Sequence, residues 1–485
     1  VELARAQAKS GAELAARDTL TKARDRWPDR GEIWETLGEL LTNTSPDEAA
    51  RAYRKAIELS PEDEPAYLGL AHLDTERTRP DDAERILRDL VDHVPASVEG
   101  HYRLAQRLAA RDDLGGAIIQ LRAVLEHDPD HIDGRIDLAR ALRRQGHLAD
   151  AIAETRNAFE RAGQDVEVSE ELFWLLCEAD DRQAALDLLT LLDDDHAEVS
   201  LLAMVARLDR GLGRIASARA IADRIAKRDA DAGAIALAQA ELAAGDPAKA
   251  ATTALTVGAD AKLFASARRV AAEAYLAAGT PKLAVETLAP ARAAKPHDVE
   301  LAGVTAIALA DAGSAAEARA LLAGLRTAKD DVALQLAQAR FEDHVGAAAA
   351  AVAILDAVIR AHPDSGPALN EAGYLLADTN RRLDVAQRYL SRARIASPGE
   401  PAVLDSWGWY LVRVRRAREA IRVLDRAARF APLEPEILYH LAAAWAADGS
   451  PRTARAVLDH ASALSPTPSV AGRIDQLRQT LPPVR

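Results

Sequence analysis

The sequence predicts an all-α protein, a solenoid made by stacking one helical hairpin many times. Three observations carry this. The first is self-similarity at a fixed interval. Pro61, Pro95 and Pro129 stand 34 residues apart, and so do Pro398, Pro432 and Pro466, and again Gly245, Gly279 and Gly313. The second is composition. Of 485 residues 49% are hydrophobic, mostly Ala and Leu, while aromatic residues make up only 4%. That balance favours helix over strand. The third is the placement of small and large residues inside each interval. Ala420, Leu424 and Ala427 precede Pro432. Ala454, Leu458 and Ala461 precede Pro466, and Ala16, Leu20 and Ala23 precede Pro28. Steps of four and three put all three side chains on one helix face. A hairpin of this length cannot bury its apolar face alone, so it stacks on copies of itself.

Taken in order, the elements follow that period. Counting back from Pro28, Val1 falls inside the first helix of a hairpin, with Leu3 and Ala4 at core positions. A natural start would not omit the opening turn, so further protein upstream is expected. Hairpins are expected to begin near residues 1, 31, 64, 98, 132, 165, 199, 231, 265, 299, 332, 367, 401 and 435. They group into an N-terminal stretch 1–165, an Ala-rich and more degenerate stretch 166–331, and a C-terminal stretch 332–468. Residues 469–481, SVAGRIDQLRQTL, read as a polar closing helix within 469–485. An array needs one, because its last hairpin otherwise exposes its stacking face. Small side chains let paired helices approach, larger ones fill the gap to the next hairpin, and the prolines stop the second helix and set the turn.

The residues resemble the tetratricopeptide repeat family. Trp34-x-x-Leu37-Gly38-x-x-Leu41 nearly spells that family's first-helix pattern, and the small-large-small triplets above match its second helix. The resemblance covers nearly the whole chain. It implies a right-handed superhelix of about fourteen repeats, with first helices lining a concave wall. LNEAGYLLAD, LDSWGWYLV and ILYHLAAAWA resemble a bacterial subtype with LNxxGY, DSxGW and HL signatures, from which Arg415 and Ala442 depart where the pattern has Gly. Members of that subtype are often periplasmic or attached to the outer membrane. The resemblance implies the same compartment for this chain, with the cytoplasm as the alternative.

Composition excludes several function classes. A net charge of −14 argues against general nucleic-acid binding. No apolar run reaches the 18 residues that would suggest a membrane span, which leaves only peripheral contact with a membrane surface. One cysteine, Cys177, rules out an intramolecular disulfide framework and a cysteine metal site. Neither a Gly-rich phosphate loop nor the HExxH or GxSxG motif occurs. EHDPDHID, with His127, Asp128, Asp130, His131 and Asp133, crowds ligand-type side chains. It surrounds the inter-repeat Pro129, however, and reads as turn chemistry, as does LLDDDHAE at 191–198. No cofactor, metal or catalytic residue is therefore expected. Residues 381–430 hold twelve Arg against five acids. Arg418, Arg422 and Arg426 recur every four residues opposite the buried triplet and read as a solvated face, with an anionic partner or lipid headgroups as the rival reading.

The expected function is a non-enzymatic scaffold that binds a protein or peptide partner in its groove. Ligand positions of the family, carried onto this sequence, fall on Asn370, Tyr374, Asp405, Trp409, Arg413 and Tyr439. A second patch comprises His72, Tyr102, Gln106, Arg140, Arg143 and Arg144. The alternative is the substrate-recruiting arm of a larger enzyme or exopolysaccharide-export system. The sequence is silent on oligomeric state. Trp407 and Trp409, two apart, cannot share a helix face. Trp407 stands where the family has a core Leu and is expected to be core, with a truncation cost of about 3–5 kcal/mol. Trp409 is expected on the concave stripe with Asp405 and Arg413, where truncation costs under about 1 kcal/mol of stability.

Overall fold

The computed structural model describes residues 1–76, 80–194, 196–325, 331–397, 399–464 and 466–482. Pro398, one of the periodic prolines, and Asp195 lie outside them. Among the described residues there are twenty-nine helices and no strand. First helices begin within one residue of the starts that the period sets, from Gly31, Glu64 and Val98 to Gly366, Pro401 and Pro435. The chain divides into two compact units, Val1–Gly163 and Gln164–Arg485.

Periodicity becomes packing through one alanine per hairpin. Ala49, Ala83, Ala117, Ala151 and Ala185 are 34 residues apart, and each is 0% exposed. Ala386, Ala420 and Ala454 repeat this in the C-terminal stretch. Each is fully buried, so a longer side chain there would have to displace its neighbours. Pro61, Pro95, Pro129 and Pro432 stand in the turns after second helices. A repeated bond ties such turns down. Trp34 Nε1 donates to the Pro28 carbonyl at 2.8 Å, His101 Nε2 to Pro95 at 3.0 Å, and Arg135 Nη2 to Pro129 at 2.8 Å. Three unrelated side chains thus perform one task, satisfying a turn carbonyl six residues upstream.

The turns inside hairpins need a left-handed residue. Gly245, Gly279 and Gly313 supply it at φ +78°, +71° and +90°. Asp112, Asp180 and Arg415 adopt the same region at +66°, +60° and +61°, at some steric cost. Many of the acidic residues between helices act as helix caps or ion-pair partners. Asp113, Asp165, Asp229 and Asp298 each accept a hydrogen bond from the backbone N–H three residues on, at 2.9–3.0 Å. In EHDPDHID, His131 Nδ1 caps Gly134 at 3.0 Å, Asp128 accepts from the Asp130 N–H at 3.1 Å, and Asp130 pairs with Arg161. In the other acidic turn, Asp193 pairs with Arg224, and Asp194 accepts from the His196 N–H at 2.6 Å. Among the described residues, no group of three metal-ligating side chains gathers, and no helix is long and apolar enough to cross a membrane.

Core size is uneven along the chain. Around 238–274 the clusters are mostly alanine, with Ala238, Ala254 and Ala271 about one Val270. By contrast, residues 339–444 share a large core that includes Leu376, Leu390, Leu424, Trp409 and Tyr410. Hydrophobic gain scales with apolar area at about 25 cal/mol per Å². Amide hydrogen exchange is therefore expected to be faster across 178–340 than across 401–466. Uniform protection along the chain would contradict this.

The C-terminal helix Pro468–Thr480 packs on Pro435–Ala447 and Pro451–Ala463, burying Val470 and Ile474. It closes the apolar stacking face, and it also reaches the wall described next.

Candidate functional site

The primary candidate patch lies on successive first helices of the Gln164–Arg485 unit. Gly366–Asp378 carries Asn370 and Tyr374, Pro401–Arg413 carries Asp405, Trp409 and Arg413, and Pro435–Ala447 carries Tyr439. The structure brings these together and adds four residues that sequence reasoning missed: Asp378, Glu436, His440 and Arg473. His440 is 0% exposed, and its Nδ1 donates to Asp405 Oδ1 at 2.8 Å with Oδ2 at 3.0 Å. Its ring stacks on Trp409, centroids 4.2 Å apart at 22°. Trp409 Nε1 donates to Asp378 Oδ1 at 3.0 Å, and Arg413 lies 5.5 Å from the Trp409 ring centre. Tyr374 donates to Glu436 Oε1 at 2.8 Å, and Arg473 donates to the same oxygen at 2.5 Å from the C-terminal helix. Arg473 also covers the Tyr439 ring at 5.3 Å.

Burial and charge are balanced across this network. Burial pushes the Tyr374 hydroxyl well above its ordinary range, with Glu436 and Asp378 adding to it. Burial opposes charge on Glu436 as well, but His440, the Tyr374 hydroxyl and Arg473 outweigh it and hold its carboxyl below the usual value. Glu434, in the turn beside them, has no such help, and burial raises its carboxyl. Burial likewise raises Glu371 against the pull of Arg340.

The two tryptophans differ from expectation. Trp409 is 5% exposed and belongs to the core, whereas Trp407 is half-buried at its edge, stacked on Tyr410 at 5.1 Å and under Arg394 at 5.0 Å. The reversal has a local cause. The next first helix lays Tyr439 and His440 over Trp409, and Asp378 takes its indole N–H. Trp407 precedes Gly408, where helices cross so closely that a Cβ would lie 2.4 Å from Leu424.

Asn370, Tyr374 and Asp405 face a cavity of about 1440 Å³, whose far side is lined by Trp174, Arg207 and Arg210. Asn370 Oδ1 is buried without a hydrogen-bond partner. Trp409, Arg413 and Tyr439 do not line the cavity and stand behind its wall. The lining mixes aromatic and aliphatic side chains, such as Trp174, Phe173 and Ile437, with charged and amide groups.

The second patch, in Val1–Gly163, is more dispersed. His72, Gln106 and Arg140 are exposed. Tyr102 and Gln106 share a hydrogen bond, and burial with Asp137 pushes the Tyr102 hydroxyl up to about 12. The Tyr102 ring lies 4.8 Å from His131. Arg140 pairs with Asp137 at 3.5 Å, while Arg144 pairs with Asp112 at 2.8 Å and reaches the Ala109 carbonyl. Arg143 is half-buried beside them. Of the residues missed in the main wall, His440 had a signal in its HL signature, four residues after Glu436. Arg473 had none, being one of the polar residues of a closing helix.

Repeated helical hairpins with a lined inner wall define a class: a helical-repeat protein that presents a recognition surface. Sequence comparison supplies the family. The chain is a tetratricopeptide repeat protein, with family models matching residues 1–64, 40–108, 108–172 and 406–467. It is 38% identical over 84 residues to a TPR repeat-containing protein of Pseudomonas aeruginosa, a match that spans 17% of this chain and 14% of that one. Among solved structures it is similar to the APC/C Cut9–Hcn1 hetero-tetramer, at 15% identity and a TM-score of 0.36, covering 92% of this chain and 95% of that one. It is also similar to YrrB, described as a TPR protein with an unusual peptide-binding site, at 18% identity and a TM-score of 0.32, covering 35% and 89%.

Proposed function

We propose that this protein is a non-enzymatic interaction scaffold that holds a segment of a partner protein in the cavity of its Gln164–Arg485 unit. The observation that carries this reading is Asn370: its side-chain oxygen is unbonded, beside Tyr374 and Asp405, whose oxygens are paired within the wall. A side-chain amide offers one acceptor and a donor group, matching the pair that a peptide backbone presents. Tyr374 and Asp405 complete the contact edge. Trp409, Arg413 and Tyr439 act from behind, holding those side chains in place. The tetratricopeptide family supports an interaction role, because stacked repeats create extended binding surfaces. The acidic balance of the chain favours a protein partner over nucleic acid.

The test places a photo-crosslinking residue at position 370 in the full chain, with position 422, on the exposed face, as control. A protein partner should crosslink from 370 and not from 422, and Asn370→Ala should weaken its binding by about tenfold, the loss of one or two good hydrogen bonds. Equal crosslinking from both positions, or unchanged binding by Asn370→Ala, overturns the assignment of the cavity.

A further inference from the structure

Within the Gln164–Arg485 unit, two regions far apart in sequence meet. Arg426 Nη1 donates to the Glu178 carbonyl at 3.0 Å, across 248 residues. That carbonyl is at the end of the helix Val166–Glu178, where unpaired backbone oxygens attract a cation. Arg429 pairs with Asp180 at 3.0 Å, just beyond the same helix, and with Asp425 on its own helix at 3.3 Å. Gly399, at φ +72°, lies so close that a Cβ there would meet the Trp174 carbonyl at 2.6 Å and the Glu178 nitrogen at 2.9 Å. At the next turn, a Cβ on Gly213 would meet Pro432 at 3.1 Å. Arg426, expected on a solvated face, is thus half-buried in this contact, while Arg418 and Arg422 remain exposed.

These contacts join the two arms that wall the cavity. Trp174, Arg207 and Arg210 belong to one arm, and Asn370, Tyr374 and Asp405 to the other. The junction combines an ion pair and a hydrogen bond from the two arginines with close packing at Gly399 and Gly213. We propose that Arg426 and Arg429, with the helix end at Glu178–Asp180, form a charge-dependent latch whose release parts the two arms and admits the partner segment. The inference rests on the cavity being the partner site. The latch would be released by salt or by an anionic group that competes for the two arginines.

Cys177, the chain's one cysteine, is a reporter already in place. It is 0% exposed, next to the latched carbonyl, and within the field of Arg426. Burial pushes its thiol well up, and Arg426 partly opposes that. Asp180 adds to the rise, and moving Arg426 away would by itself make the thiol less reactive, so faster labelling in a variant that keeps Asp180 reflects exposure.

The experiment measures Cys177 labelling by an aromatic disulfide reagent in the full chain, with the radius of gyration in solution alongside. Arg429→Glu sets like charges against Asp180 and should accelerate labelling by about tenfold, with an increase in radius. Asp180→Arg combined with Arg429→Glu restores an opposite pair and should return the radius of gyration to that of wild type; the radius is the readout here because Asp180 itself acts on the thiol. Raising salt from about 0.05 M to about 0.5 M should accelerate wild-type labelling. An unchanged rate in Arg429→Glu, or an equal increase of radius in the charge-swapped pair, overturns the latch. Because this readout needs no partner, its failure is separate from failure of the crosslinking test.

Discussion

Trp409→Ala is expected to destabilise the Gln164–Arg485 unit by about 3–5 kcal/mol, the range for truncating a buried large aromatic. Three losses combine. The ring is 5% exposed within a large core, so its removal leaves a cavity. The stacking surface of His440 is lost, and Asp378 loses its indole donor. Trp407→Ala is the internal control. Trp407 is half-buried at the edge of the same core, and its truncation should cost about 1–2 kcal/mol. Urea unfolding followed by circular dichroism measures both, with hydrogen exchange locating the change, since long arrays need not unfold in two states. A Trp407 variant less stable than the Trp409 variant would contradict this order of burial.

Asp405→Ala should be the other severe substitution. His440 is fully buried, and its Nε2 already lacks a partner. Removing Asp405 also strands Nδ1, which leaves the fully buried ring without a side-chain hydrogen bond. Breaking one half of such a buried pair costs about 3–5 kcal/mol, most of it the penalty of the group left behind. Replacing both partners with apolar residues of similar shape removes that penalty. Asp405→Leu with His440→Phe should therefore be less destabilising than Asp405→Ala alone, measured by the same urea unfolding. A double variant at least as unstable as the single one would show that the pair contributes net stability and does not simply satisfy itself.

The sequence readings succeeded where a residue's surroundings lie within about one repeat. The 34-residue step located the first helices to within one residue, and the triplet rule found Ala420, Leu424 and Ala427, each 0% exposed. The patch from Asn370 to Tyr439 was legible as a set of positions on successive first helices, of which Asn370, Tyr374 and Asp405 line the cavity and Trp409, Arg413 and Tyr439 do not. The reading failed for Trp407 and Trp409, which share one helix. Which of them is buried depends on what the following hairpin lays over them, and Tyr439 and His440 cover Trp409.

The sequence by itself therefore determined the secondary structure, the repeat register and the family. All of these follow from local periodicity and nearest-neighbour stacking. Tertiary structure alone decided the rest: the role of Arg473 on Glu436, the pairing of His440 with Asp405, and the meeting of Arg426 and Arg429 with the helix end at Glu178–Asp180. The physical reason is accumulation. Each hairpin turns slightly on its neighbour, and the sum of many such turns brings Glu178 to Arg426 across 248 residues, a distance over which no sequence window carries a signal.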